Sequence, residues 1–319
     1  MRILLLIPEY LGLYKPIVSE LEKEGHKVHV LFDINIPCDP NYKRNGHLRR
    51  IAKTIVSKLT HNYSRYWKNV IRKDKELTLP FDAFVCVNGS CLSGYLMTYL
   101  RKKNTKIRTS IYLWDNNYIY DFARNLRYFD KRYTYDLLDS KKYNIKFLPF
   151  YWTCPDSAKT VNKNLYAISI VGTDHDDRFD IVRRLSGQLD KSNLNYKFVI
   201  VSTSRVESKG NSKISIISKP LSPNETMRIM SQSTCILDTD RPSQTGTTPR
   251  VIWALSMGKK IITTNTSIKE MPFYDSRQIL IIDRDNPVID LVFISSTENI
   301  EVSPYIENLR IDKWVKNFL

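Results

Sequence analysis

The chain has 319 residues, more than one hydrophobic core comfortably supports, and 42% of them are apolar, with 19 Tyr and 12 Phe, enough for two packed domains. Its 49 Lys and Arg against 33 Asp and Glu leave a net charge of +16, a field that draws phosphorylated ligands, nucleic acid or anionic membrane and says nothing about the fold. The five cysteines (Cys38, Cys86, Cys91, Cys154, Cys235) are scattered and odd in number, which argues against a disulfide scaffold and for a reducing, cytoplasmic compartment.

In chain order, "RILLLIPEY" reads as an apolar strand; Pro8 and Glu9 cut it too short for a signal peptide or a spanning helix. The loop "LGLYKP", a helix "IVSELEKEGH" ended by Gly25 and a strand "KVHVLFD" follow, a β-loop-α-β unit that opens a doubly wound parallel sheet. The loop lacks G-x-G-x-x-G, so a tightly bound dinucleotide is not indicated. Residues 41–76 form an insertion with eleven Lys or Arg against two acidic residues, and apolar residues from Leu48 to Val70 recur at steps of three and four. That spacing predicts a basic amphipathic helix, kinked near His61 and Asn62. Such a helix can lie on an anionic membrane through Arg49, Arg50, Lys53 and Lys58, or pack its stripe on the N-terminal sheet with its lysines merely solvated. RNA binding would use the same charge, but no recognition motif accompanies it, and nucleic acid is not an expected partner.

Strands are predicted at "AFVCVNG" (83–89), "IRTSIYLWD" (107–115) and "NIKFLPFYW" (144–152), with the helix "GYLMTYLRKK" between the first two. After a polar linker the pattern restarts with strands at "YAISIVG" (166–172), "YKFVIVS" (196–202), "ISIIS" (214–218), "STCILDTD" (233–240), "KIITTN" (260–265) and "ILIID" (279–283). Helices are expected in "TDHDDRFDIVRRLSGQL" and "PNETMRIMSQ", and "SPYIENLRIDKWVKNFL" has helical spacing. The expected fold is α/β, two Rossmann-like domains facing a cleft: an N-terminal domain at 1–155, a C-terminal domain at 156–302, and a C-terminal helix at 303–319 free to pack back on the N-terminal domain.

The stretch "TGTTPRVIWALSMGKK" carries the most chemistry. Thr248 is placed to cap a helix with Pro249 at its first position, and Gly258 to end it. The helix N-terminus, Gly246, the hydroxyls of Thr247 and Thr248 and the fork of Arg250 converge as an anion cradle; a structural ion pair at Arg250 is the competing reading. Gly172, Thr173 and Arg178 form a second strand-to-helix turn, with Asp174 as that helix's N-cap. Lys219 reads either as a further phosphate or base contact or as a plain surface lysine. No spacing among the five histidines suggests a metal site.

With "ISIVGTDHDDRFDIV", "ISKPLSPNE", "CILDTDRPSQTGTTPRVIWALSMGKKIITTN" and, more weakly, "YLWDNN" and "NIKFLPFYW", the chain resembles GT-B glycosyltransferases of bacterial surface-polysaccharide (lipopolysaccharide or capsule) biosynthesis. Their pattern Q-x-G-x-T-x-R-x-x-E-A-L, then G-K-K-(L/I)-I-T-T-N, is matched at Gln244, Gly246, Thr248, Arg250, Leu255, Gly258, Lys259, Lys260, Thr263, Thr264 and Asn265. The resemblance implies transfer of a sugar from a nucleotide-activated donor, held by the C-terminal domain without metal or other cofactor. The acceptor, a glycolipid or oligosaccharide, would be held by the N-terminal domain at the inner face of the membrane. Where the pattern has the glutamate that usually meets the nucleotide ribose, this chain has Trp253, a candidate to contact ribose or base. The base that deprotonates an acceptor must come from an N-terminal strand end; Asp115 is the first candidate and Glu9 the second, with a helix cap as the competing role of Asp115. The rival functions are a nucleotide-sugar 2-epimerase-like enzyme on the same fold and a non-catalytic membrane- or RNA-binding protein.

Overall fold

In a computed structural model of the chain, residues 1–33, 63–118, 121–153, 164–207, 212–296 and 301–319 are described. They divide into two compact units, Met1–Leu148 with Val315–Leu319, and Pro149–Trp314. Among the described residues, no helix is long and apolar enough to cross a membrane.

Unit 1 is built on six parallel strands: β1 (Arg2–Ile7), β2 (Lys27–Phe32), β3 (Ala83–Val87), β4 (Arg108–Leu113), β5 (Lys131–Thr134) and β6 (Lys146–Phe147). Their order is β2-β1-β3-β4-β5-β6, which puts the reversal of winding between β1 and β3. Ile3 to Ile7 are all wholly buried, as a parallel strand covered on both faces must be. The helices α1 (Tyr14–Lys23) and α3 (Gly94–Lys103) stand where the sequence predicts them. Ser93 caps α3 by accepting the Leu96 N–H at 3.3 Å. Two elements are absent from the sequence reading: β5, whose "KRYT" is half charged, and α4 (Leu137–Tyr143), capped by Asp136.

The described part of the basic insertion contains α2 (Ser64–Lys73). Trp67 is wholly buried and donates its indole N–H to the Cys91 carbonyl at 2.7 Å, while Tyr66, Val70 and Ile71 pack on the unit 1 core. Here the apolar stripe faces protein, and the exposed face carries Arg65, Lys68, Arg72 and Lys73. The rest of the insertion, with Arg49, Arg50, Lys53, Lys58 and the expected kink, lies outside the described residues.

Unit 2 repeats the architecture with β7 (Tyr166–Thr173), β8 (Tyr196–Val201), β9 (Ile214–Ile217), β10 (Ser233–Asp238), β11 (Lys260–Thr263) and β12 (Ile279–Ile281), all parallel. The order β12-β11-β10-β7-β8-β9 is that of a dinucleotide-binding sheet, with its switch point between β7 and β10. Its helices are α5 (Arg178–Lys191), α6 (Pro223–Ser231), α7 (Pro249–Ser256) and the short α8 (Leu291–Ser295). Ser222 and Glu225 form a reciprocal capping box at the start of α6.

The structure corrects three expected elements. "NIKFLPFYW" is a strand only at Lys146–Phe147, because Pro149 cannot continue the ladder. The helix expected at 303–319 is broken into α9 (Pro304–Glu307), α10 (Ile311–Trp314) and a 3₁₀ turn at Val315–Phe318. Trp152 intervenes there: its N–H donates to the Leu309 carbonyl and its carbonyl accepts from Ile311. Finally, among the described residues no helix follows Asp115 for it to cap; the next helical turn among them is 3₁₀, at Ala123–Tyr128. The last residues belong to unit 1, where Phe318 meets Tyr112 and Tyr133 edge-on and its carbonyl accepts the Ser110 hydroxyl.

Candidate functional site

Ligands of open α/β sheets sit outside the carboxyl ends of the strands at the switch point. In unit 2 that place is formed by the ends of β7 and β10 and by the loop 239–248 leading into α7. The structure brings Gly172, Thr173, Arg178, Thr248 and Arg250 together there. Arg250 donates from Nε and Nη2 to the Val171 carbonyl, at 3.1 and 3.0 Å, and from Nη1 to Asp238. Arg178 donates from Nε to the Thr239 hydroxyl at 2.7 Å and from Nη2 to the Thr239 carbonyl at 2.5 Å, and from Nη1 to the Thr173 carbonyl. A Cβ on Gly172 would lie 3.0 Å from Nη2 of Arg250 and 3.2 Å from Nη1 of Arg178. Glycine is needed at 172 because two guanidiniums occupy the space beside it.

The charge balance is uneven. Asp238, with a side chain 1% exposed, pairs with Arg250, whereas Arg178 forms no ion pair among the described residues. Burial first, and then the neighbouring Arg250, push Arg178 down to about 10, so it stays charged at neutral pH beside a second cation. His175 is lowered by burial and then by Arg241 and Arg178, a second sign of a positive local field. The Thr247 hydroxyl oxygen is buried without a hydrogen-bond partner among the described residues, in a residue 1% exposed.

Several local expectations are corrected. Thr248 stands at the cap position, but its hydroxyl donates to Asp238 at 2.7 Å and accepts nothing from the helix. The hydroxyl is turned toward the buried carboxylate, to which it donates. Asp174 is not the cap of α5; that position is Asp177, and the Asp174 carboxylate accepts from Arg205 at 2.6 Å and Ser202 at 3.0 Å. Lys219 is exposed beyond β9, at the far edge of the sheet and beside Glu207, apart from the arginine pair. The Gly246 carbonyl accepts from Asn265 at 3.2 Å and the Gln244 N–H donates to the Arg241 carbonyl at 2.9 Å, which shapes the loop from within. Trp253, half-buried on α7, gives its indole N–H to the Tyr151 carbonyl at 3.1 Å.

Sequence reasoning missed Asp238, Thr239, Asp240 and Arg284. Arg284 bonds Asp177 at 2.7 Å and the Asp240 carbonyl at 2.9 Å, and its guanidinium also pairs with the Asp240 carboxylate. The run "DTD" at the end of a buried strand was the available signal, since carboxylates there need cations.

In unit 1, Asp115 follows β4, and its Oδ2 accepts from Asn88 Nδ2 at 2.7 Å. Asn88, left-handed at φ 60°, accepts the Trp114 N–H on its own Oδ1 at 3.0 Å and so orients that carboxylate. Glu9 is exposed two residues past β1. Both lie at the carboxyl end of the sheet, on strands separated by β3.

No family model matches the chain, and no curated protein matches it in sequence. Solved structures do match in fold. A UDP-forming α,α-trehalose-phosphate synthase from Burkholderia vietnamiensis aligns with a TM-score of 0.58 at 11% identity, over 100% of this chain and 98% of its own. The N-terminal domain of a trehalose-6-phosphate phosphatase from Candida albicans gives 0.60 at 10% identity, over 99% and 95%. The kitacinnamycin glycosyltransferase gives 0.51 at 9% identity, over 99% and 95%. The likeness spans both units and is one of fold: the chain has the GT-B architecture of two Rossmann-like domains.

Proposed function

We propose that the chain is a glycosyltransferase whose unit 2 holds the diphosphate of a nucleotide-activated sugar and whose unit 1 holds the acceptor. The observation that carries this is the pair of guanidiniums flanking Gly172, with one buried carboxylate paired to Arg250. A diphosphate supplies the negative charge and acceptor oxygens that such a cluster favours, and it gains most charge as the leaving group departs. Fixed arginines can carry that charge, so we propose transfer without a metal. The pattern shared with surface-polysaccharide transferases supports a lipid-linked, lipopolysaccharide or capsule acceptor.

The test is calorimetric titration of UDP, GDP, TDP and CMP into the chain, followed by donor turnover with and without acceptors. At least one nucleotide should bind. Gly172→Val should weaken that binding by about tenfold or more, since overpacking costs ~1–3 kcal/mol and displaces both arginines. Equal affinity in the variant would remove the donor site from this place.

A membrane-facing role is proposed on a separate observation. Helices α2 and α3 share one core cluster, Lys68 of α2 lies over the Tyr95 ring of α3, and neither helix carries an acidic residue. Their exposed cations are Arg65, Lys68, Arg72, Lys73, Arg101, Lys102 and Lys103. Such a surface suits an anionic inner-membrane face. Reversing Arg49, Arg50, Lys53 and Lys58 together with Arg72 and Lys102 should release the protein from phosphatidylglycerol vesicles in sedimentation, with thermal stability kept. Unaltered sedimentation would end this part of the proposal.

A further inference from the structure

The turn after β3 in unit 1 is itself built to take an anion. Asn88 and Gly89 are both left-handed, at φ 60° and 76°, and the amides of Ser90 and Cys91 converge beyond them. Successive amides in such a conformation form a concave site for negative charge, and this one stands at the switch point between β1 and β3. The anion found there is the chain's own. Asp33, just past the end of β2, reaches the turn and accepts Ser90 N–H on Oδ2 at 2.7 Å and Cys91 N–H on Oδ1 at 2.9 Å. It is 8% exposed, and burial holds its carboxyl above the ordinary carboxylate range despite those bonds.

The rest of this sheet edge agrees. Glu9 follows β1, Asp115 follows β4, and Asp136 and Asp139 follow β5. Carboxylates thus follow β1, β2, β4 and β5, in a chain whose net charge is +16. A phosphate or carboxylate on a ligand would find the two amides already occupied.

We propose that Asp33 is a specificity-determining residue: it fills the anion-binding turn of unit 1, so that the group bound at this edge is an uncharged hydroxyl-bearing sugar and not a phosphorylated one. This rests on the reading of unit 1 as the acceptor-binding half. The orphaned amides of an Asp33 variant should then accept an external anion in its place.

The experiment titrates inorganic phosphate into the whole ¹⁵N-labelled chain and follows the Ser90 and Cys91 amide resonances. In the parent these two should show no saturable shift. In Asp33→Gly they should shift saturably, with apparent affinity raised about tenfold or more, as expected when charge-assisted bonds become available. Asp33→Asn, which keeps one acceptor oxygen and introduces a donor, should respond less than Asp33→Gly. It also serves as the test should Asp33→Gly fail to fold, and must then respond more than the parent. A saturable response in the parent, or none in any folded variant, overturns the proposal. Nucleotide titration of unit 2 should be the same in all three proteins. Its failure in the parent would count against the donor site, and leaves the outcome at Ser90 and Cys91 to be judged by itself.

Discussion

Arg250→Ala should lower the stability of unit 2 by about 3–5 kcal/mol, the range observed when one partner of a buried ion pair is removed. Asp238 has a side chain 1% exposed, and Arg250 one 11% exposed. Without the guanidinium, Asp238 keeps, among the described residues, the hydroxyls of Thr248 and, at 3.4 Å, Thr263. The Val171 carbonyl loses two donors as well. For a unit of this size the loss should lower the melting temperature by on the order of 10 °C. Adding Asp238→Asn removes the stranded charge and should recover part of it, so the double variant separates the ion pair from the bonds to Val171. Nucleotide binding is then measured well below the transition. A charge-assisted contact to a diphosphate is worth about 1.5–3 kcal/mol, so affinity should fall roughly ten- to a hundredfold. Arg250→Lys should restore only part of either quantity, because an ammonium cannot bond Val171 and Asp238 in one plane. Lower stability with unchanged nucleotide affinity would make Arg250 a structural residue alone.

That double role shows what the sequence could and could not disclose. Helix α7 was legible because its signals are local: Thr248 before Pro249, an apolar run, and Gly258 at φ +66° after the last turn. The strands β1, β3 and β7 were legible because unbroken apolar runs are what a doubly covered parallel sheet requires. The partner of Arg250 was not legible. Asp238 lies twelve residues upstream on a different element, and only the loop that follows β10 decides which cation it meets. The break in the C-terminal segment was equally hidden, since it depends on Trp152 pairing with residues more than 150 positions away. Asp33 reads from sequence as the polar end of a strand, and its captured amides lie 57 and 58 residues on. Local chemistry gives the elements, and residues distant in sequence decide what fills the turns between them.

Trp253 follows the same logic at a position where resemblance had raised an expectation. The family pattern has a carboxylate there, to hold a ribose. In this chain the indole holds the Tyr151 carbonyl instead, and Tyr151 stacks on Phe150 and packs against Trp314. Nε1 of Trp152 and of Trp314 likewise donate to carbonyls of Ile306 and Pro149. Three indoles thus fix the segment with which unit 2 begins, and Trp253 has a packing role there.

The largest effect on chemistry is expected at Asp115. Asp115→Asn should reduce turnover by roughly 10²–10⁴-fold, the contribution typical of a positioned general base, while nucleotide affinity stays at the parent value. The geometry favours this residue over Glu9, because Asn88 holds one carboxylate oxygen and is itself fixed by the Trp114 N–H and by burial to 4%. A base must be oriented before it can work, and Glu9 is exposed with no such restraint among its described contacts. The asparagine would also set its amide against the Asn88 amide donor, so the side chain must turn over to keep the bond. Asn88→Ala gives the complementary measurement. With the Asn88 bond lost the carboxylate itself remains, so turnover should fall less than in Asp115→Asn. Normal turnover in Asp115→Asn, with only a lower melting temperature, would assign Asp115 to the support of the β3 and β4 ends. A loss of the predicted size in Glu9→Gln instead would move the base to the end of β1.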